Sequence, residues 1–157
     1  IDEATLMMER AKELDPLSSV ISSNISAIYQ RRNDHQASIE NSLKLIELDP
    51  NFPPAYQHLG LSYLKQGRTT DGIANLERAV EMSKRDRNFL SVLGYGYAVT
   101  GKRTEAIAIL KELEEKYGIK LTPQVIAPKA GNQNKPDMPV NTNPGGMQPN
   151  DQAQPAE

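Results

Sequence analysis

The sequence predicts an all-α chain of antiparallel helical hairpins, and three observations carry that expectation. One set of residues recurs every 34 positions, apolar residues inside each repeat fall at helical spacing, and turn-formers punctuate the repeats at matching places. Composition narrows the alternatives. The 157 residues are 38% hydrophobic but hold only 6 Tyr, 2 Phe and no Trp, so a core must be aliphatic and closely packed. With 18 basic and 20 acidic side chains and a net charge of −2, no basic stripe is available for nucleic acid. The lack of cysteine removes disulfides, thiolate zinc sites and thiol nucleophiles. No apolar run approaches the ~18 residues of a membrane span.

Residues 1–14 match only the second helix of a repeat, with Ala4, Met8 and Ala11 expected to face a first helix that this stretch lacks. Together with a start at Ile1 rather than methionine, this suggests a piece of a longer array. The turn Leu14-Asp15-Pro16 returns as Leu48-Asp49-Pro50. In the first full unit, residues 19–52, Ile25-Ser26, Tyr29, Asn33, Ile39 and Ser42 set the pattern. The second, residues 53–86, reads Tyr56, Leu59, Gly60 and Tyr63 on one helix; Gly67 ends it, and Ile73, Leu76, Ala79 and Val80 stripe the next. The third, residues 87–118, repeats Leu93-Gly94, Tyr97, Gly101, Ile107 and Leu110. Small residues are expected where paired helices touch, at Ser26 with Ser38, Gly60 with Gly72 and Gly94 with Ala106, beside Tyr29, Tyr63 and Tyr97. A glycine inside a helix costs roughly 1 kcal/mol against alanine, so close backbone approach is the expected reason. Lys116 stands where the earlier units carry Leu48 and Met82, a polar substitution suited to a terminal cap. From Ile119 onward 7 of the 11 prolines appear. A short capping turn is expected over 119–128, from Thr122-Pro123 to Pro128, followed by a disordered Pro/Asn/Gln-rich tail over 129–157.

The combination of Leu-Gly, Tyr, Gly, a small residue, Ala79 and Asp-Pro at 34-residue intervals resembles the tetratricopeptide repeat family over residues 1–118. Departures are Ser26, Ser38 and Ser42 for the usual Gly, Ala and aromatic, Leu45 and Leu113 for Ala, and Lys84 and Gly118 for the closing proline. The resemblance implies a right-handed superhelix of helix-turn-helix repeats, three full ones after a half repeat, whose first helices line a concave groove. The units are also similar to repeat regions of bacterial multidomain signalling or transcription-regulatory proteins.

No catalytic set is legible. In Gly94-Tyr95-Gly96-Tyr97-Ala98-Val99-Thr100-Gly101 the third glycine of a dinucleotide fingerprint would fall at Val99, and no Walker Lys-Ser follows. Gly96 alone lacks a repeat-based reason, beyond loosening its helix or admitting a ligand backbone. His35 and His58 lie in different units without further ligands, so no metal and no cofactor are expected. Lys84-Arg85-Asp86-Arg87 reads as a solubilising charge cluster. What remains is the groove, expected to take a protein or peptide partner without enzymatic activity. The first unit offers Asn24, Ala27, Gln30 and Arg31 there, with Val20 and Ser23 beside them. The second offers Gln57, His58, Leu61, Leu64 and Lys65, and the third Asn88, Ser91, Tyr95 and Val99, with Val92 and Ala98. Tyr95 is the expected anchor. Chaperone-docking members of the family grip a carboxylate at positions matching Ser23, Ala27, His58, Asn88 and Val92; none is a cation, so that activity is not expected. Alternatives are homodimerisation through the unpaired N-terminal helix and occupation of the groove by the tail.

Overall fold

A computed structural model describes residues 3–118, and the backbone there folds into seven helices: α1 (Glu3–Leu14), α2 (Ser19–Arg31), α3 (His35–Leu48), α4 (Pro53–Lys65), α5 (Thr69–Met82), α6 (Arg87–Val99) and α7 (Arg103–Tyr117). There is no strand among the described residues. The capping turn expected over 119–128 and the tail over 129–157 lie outside the described residues, as does the side chain of Ala4.

The helices begin at matching places because the turns before them are set locally. Asn33, Gly67 and Gly101 take the left-handed conformation, at φ 59, 78 and 77°. The next amide in each case returns to a tyrosine carbonyl: Asp34 to Tyr29, Arg68 to Tyr63 and Lys102 to Tyr97, each at 2.9 Å. Tyr63 and Tyr97 also share their surroundings, since the Arg68 guanidinium lies 3.9 Å from one ring and the Lys102 ammonium 5.7 Å from the other. Starts are capped by side chains where the chain supplies them. Ser18 accepts from the Ile21 amide at 3.4 Å, and Asp34 from Ala37 at 3.1 Å. Prolines open α4, and Gly118 (φ 65°) closes α7.

Each helix packs on its neighbours in sequence, and α4 also touches α2 and α6. The second helices α3, α5 and α7 make no comparable contact with one another. A stack whose first helices approach while its second helices diverge must curve toward the first, so α2, α4 and α6 form the inner side of a helical repeat superhelix.

Two kinds of interior fill the stack. Leu76, Val80, Leu90, Leu93, Ile109 and Leu113 form one aliphatic core, and Ile39, Leu59 and Tyr63 a smaller one. Around α2 and α3 the interior is hydroxyl-lined instead. Ser26 and Ser42 share a 3.1 Å hydrogen bond, Ser62 donates to Ser38 at 3.0 Å, and Asn41 donates to the Ser22 carbonyl and to Ser26 at 2.7 and 2.9 Å. Buried serines are tolerable because each is paired.

One of the three small-residue pairs needs correction. A methyl on Gly60 would lie 2.8 Å from the Gly72 carbonyl oxygen, so that pair is a true backbone approach. Ser26 and Ser38 are both fully buried, the Ser26 hydroxyl bonding Ser42 and Asn41 and the Ser38 hydroxyl accepting from Ser62 of the next unit. Gly94 meets Ile109 rather than Ala106. The cause lies in α7, where Ile109 and Leu113 enter the core and the expected Ile107 and Leu110 are only half-buried. In α5 the matching Ile73 and Leu76 are covered by α6, whereas no described helix follows α7. In α1, Met8 and Ala11 are half-buried and Leu6, Met7 and Leu14 are exposed.

Gly96 has a packing reason after all. A methyl there would lie 2.7 Å from Leu76 Cδ1 and 3.3 Å from Ile73 Cδ1, so glycine lets α6 seat on α5. The 84–87 cluster is also more than a solubilising turn. Lys84 and Arg85 both adopt left-handed backbone (φ 53 and 60°), Asp86 caps α6, and Arg85 forms a bidentate pair with Glu112 of α7. The Arg85 carbonyl accepts from the Tyr117 hydroxyl at 2.8 Å, so the strained turn is held from both sides.

Candidate peptide-binding face

The inner helices place the thirteen groove candidates unequally. Asn24, Arg31, Lys65, Asn88, Ser91, Tyr95 and Val99 are exposed, while Ala27, Gln30, Gln57, His58, Leu61 and Leu64 are half-buried. Of the residues beside them, Val20 and Ala98 are exposed, Val92 is half-buried and Ser23 is buried.

Gln30 and His58 serve the scaffold. Gln30 Nε2 donates to the His58 carbonyl at 2.8 Å and to Ser62 Oγ at 3.0 Å. Its Oε1 is therefore left to accept, and lies 3.2 Å from His58 Nδ1, which assigns the proton to Nδ1. His58 Nε2 then accepts from Ser23 Oγ at 3.1 Å. Both ring nitrogens are engaged between α2 and α4, and burial lowers the imidazole pKa from 6.5 to about 4. The ring is neutral at ordinary pH, and it joins two units rather than offering a polar group to a ligand.

Five other candidates converge. Leu61, Leu64 and Lys65 from α4 and Tyr95 and Val99 from α6 line an open pocket of about 240 Å3, completed by Thr69 and Thr100. Tyr95 is 46% exposed and Val99 54%, a large apolar surface for two adjacent turns of one helix. The pocket lies at the C-terminal ends of α4 and α6, where Thr69, which opens α5, and Thr100, which follows α6, complete its lining. The two threonines escaped the sequence reading because only first-helix positions entered it. Their signal was available: both lie within two residues of the turn glycines Gly67 and Gly101, at the same end as Lys65 and Val99. Asn24, Asn88 and Ser91 do not join this pocket. Among the described residues no group of three His, Asp or Glu is placed to hold a metal ion, and no helix is long and apolar enough to cross a membrane.

Comparison with known proteins supports the same architecture. Two family models described as tetratricopeptide repeat match residues 42–74 and 22–52. A stretch of 73 residues is 30% identical to small glutamine-rich tetratricopeptide repeat-containing protein 2 of Mycosarcoma maydis, covering 46% of this chain and 21% of that protein. Another of 71 residues is 28% identical to tetratricopeptide repeat protein 28 of Mus musculus, covering 45% and 3%. The chain thus spans about a fifth or less of the curated relatives it matches. Among solved structures, MamA (residues 41 to the end) from Desulfovibrio magneticus RS-1 superposes with a TM-score of 0.62 at 17% identity, covering 73% of this chain and 65% of that one. YrrB, described as a TPR protein with an unusual peptide-binding site, superposes with a TM-score of 0.59 at 18% identity, covering 69% and 56%. These two likenesses speak to fold alone. With the 34-residue cadence, the stacked hairpins and the matched repeat models together, residues 22–74 are tetratricopeptide repeats, the repeat of scaffolds for protein–protein interaction, and the described helices continue the same architecture on either side.

Proposed function

We propose that the inner face binds a peptide or an extended segment of a partner protein, anchored in the pocket between α4 and α6. The observation that carries this reading is the convergence of Leu61, Leu64, Lys65, Tyr95 and Val99 on one open pocket, on the side toward which the stack curves. An apolar floor with a polar rim suits a side-chain anchor. The peptide-binding site named for YrrB lends the reading support by analogy. A photo-crosslinking amino acid placed at Tyr95 is expected to capture the partner, and one at Leu43 on the outer side is not. Capture at Leu43 and none at Tyr95 would move the interface to the outer side. Tyr95→Ala should weaken partner capture without changing helix content.

A second reading is assembly. Leu6, Met7, Leu14, Leu17 and Val20 are exposed on and beside α1, which favours a second copy or another repeat unit docking there. Sedimentation velocity showing a monomer at all concentrations would remove self-association. The alternative in which the tail occupies the groove involves residues outside those described.

A further inference from the structure

The charges of this nearly neutral chain are sorted between the two layers of the stack. The inner helices α2, α4 and α6 contain no Asp or Glu, and their only ionised side chains are Arg31, Lys65 and Arg87. The remaining helices α1, α3, α5 and α7 carry 12 carboxylates against 7 Lys and Arg. A net charge of −2 hides this polarity.

Two of the inner cations share a register. Arg31 ends α2 and Lys65 ends α4, with Val99 in the matching place on α6. Both cations are exposed, and neither forms a salt bridge with a described residue. The carboxylates of the adjoining turns are already engaged: Asp34 caps α3, and Asp71 pairs with Arg68 at 2.7 Å. Lys65 forms part of the wall of the pocket under Tyr95, so the row of cations runs into the apolar anchor.

Resting on the groove reading above, we infer that the ligand is an acidic peptide. One apolar side chain enters the pocket beside Tyr95, Leu61 and Val99, one carboxylate meets Lys65, and a second meets Arg31. Stacked helix axes lie roughly 8–10 Å apart, which sets the spacing of the two cations. An extended peptide advances about 3.3 Å per residue, so the two carboxylates should be about three residues apart. The acid-free inner helices repel no such ligand, whereas the outer layer does.

The test is selection of a phage-displayed library of random 12-residue peptides on the full chain, followed by fluorescence polarisation with the best synthetic peptide. Enriched sequences should pair one Leu, Ile or Phe with at least two Asp or Glu at that spacing. Affinity should fall about two- to five-fold for Arg31→Ala and for Lys65→Ala, the range of an exposed ion pair, and further at 0.5 M NaCl. Tyr95→Ala should abolish binding. Both cations are exposed and make no salt bridge with a described residue, so circular dichroism should show these variants folded. Enriched peptides that are neutral or basic but still need Tyr95 would overturn the acidic preference and leave the pocket reading standing. Peptides indifferent to Tyr95→Ala, or no enrichment at all, would overturn both.

Discussion

Replacing Gly60 by alanine adds one methyl group where two helices of a hairpin touch backbone to backbone. The new Cβ would lie 2.8 Å from the Gly72 carbonyl oxygen and 2.9 Å from both Cγ and Cδ2 of Leu76, against ordinary contacts of 3.4–4 Å. Two effects oppose each other. Alanine is the better helix former by roughly 1 kcal/mol. Relieving the clash means moving α5 away from α4, because a carbonyl oxygen cannot rotate aside, and overpacking of this kind costs about 1–3 kcal/mol, sometimes more. At this site the branch carbon Cγ of Leu76 is in the way as well as a terminal methyl, so turning the side chain's end does not clear the contact. The expected net effect is a loss of about 1–2 kcal/mol, a fall of several degrees in Tm. Two companion variants separate clash from conformation. At Gly96 the opposing atoms are the ends of Leu76, Ile73 and Leu64 side chains, at 2.7, 3.3 and 3.4 Å, which can rotate. Gly96→Ala should therefore change stability by less than about 1 kcal/mol, as repacking offsets helix propensity. At Gly67 nothing lies within 4 Å but φ is +78°, so Gly67→Ala should lose about 1–2 kcal/mol through backbone strain alone. Urea unfolding followed at 222 nm measures all three. If Gly60→Ala is as stable as the parent, or Gly96→Ala loses as much as Gly60→Ala, close backbone approach is not what selects glycine at position 60.

Three further outcomes follow from side-chain geometry. Since burial lowers the His58 pKa from 6.5 to about 4, the unfolded chain binds this proton first, and stability should fall as pH drops from 6.5 toward 4. The loss is at most ~3 kcal/mol; His58→Gln should flatten that part of the profile, and an unchanged slope in the variant would refute the assignment. Lys84 is exposed, with φ 53° in the turn before α6, so Lys84→Gly should raise stability by up to about 1 kcal/mol in thermal melts. Tyr97 donates to Glu77 at 2.7 Å, and burial, followed by that bond, pushes its pKa up to about 12. Absorbance titration at 295 nm should show a tyrosine ionisation near 12 that is lost in Tyr97→Phe, with Glu77→Gln moving it down.

The repeat length, the alternation of first and second helices and the places where they turn were all legible in the sequence. They depend on interactions spanning four or five residues: a left-handed Asn33, Gly67 or Gly101, an amide returning to a tyrosine carbonyl, a hydroxyl or carboxylate at a helix start. Such geometry is determined by local sterics, so an identical spacing of residue types yields an identical turn. The candidate face was legible only in part. Leu61, Leu64, Lys65, Tyr95 and Val99 do meet, but His58 and Gln30, polar residues at inner positions like the rest, turn out to hold α2 to α4. Nothing local separates a ring that faces solvent from one that finds Ser23, 35 positions away, as its partner. The same holds for Gly96 under Leu76, for Arg85 reaching Glu112, and for Leu110, half-buried while Ile109 enters the core. Each is decided by which helices the stack brings together. That packing is a sum over many side-chain volumes at the interfaces, and only the assembled stack evaluates it.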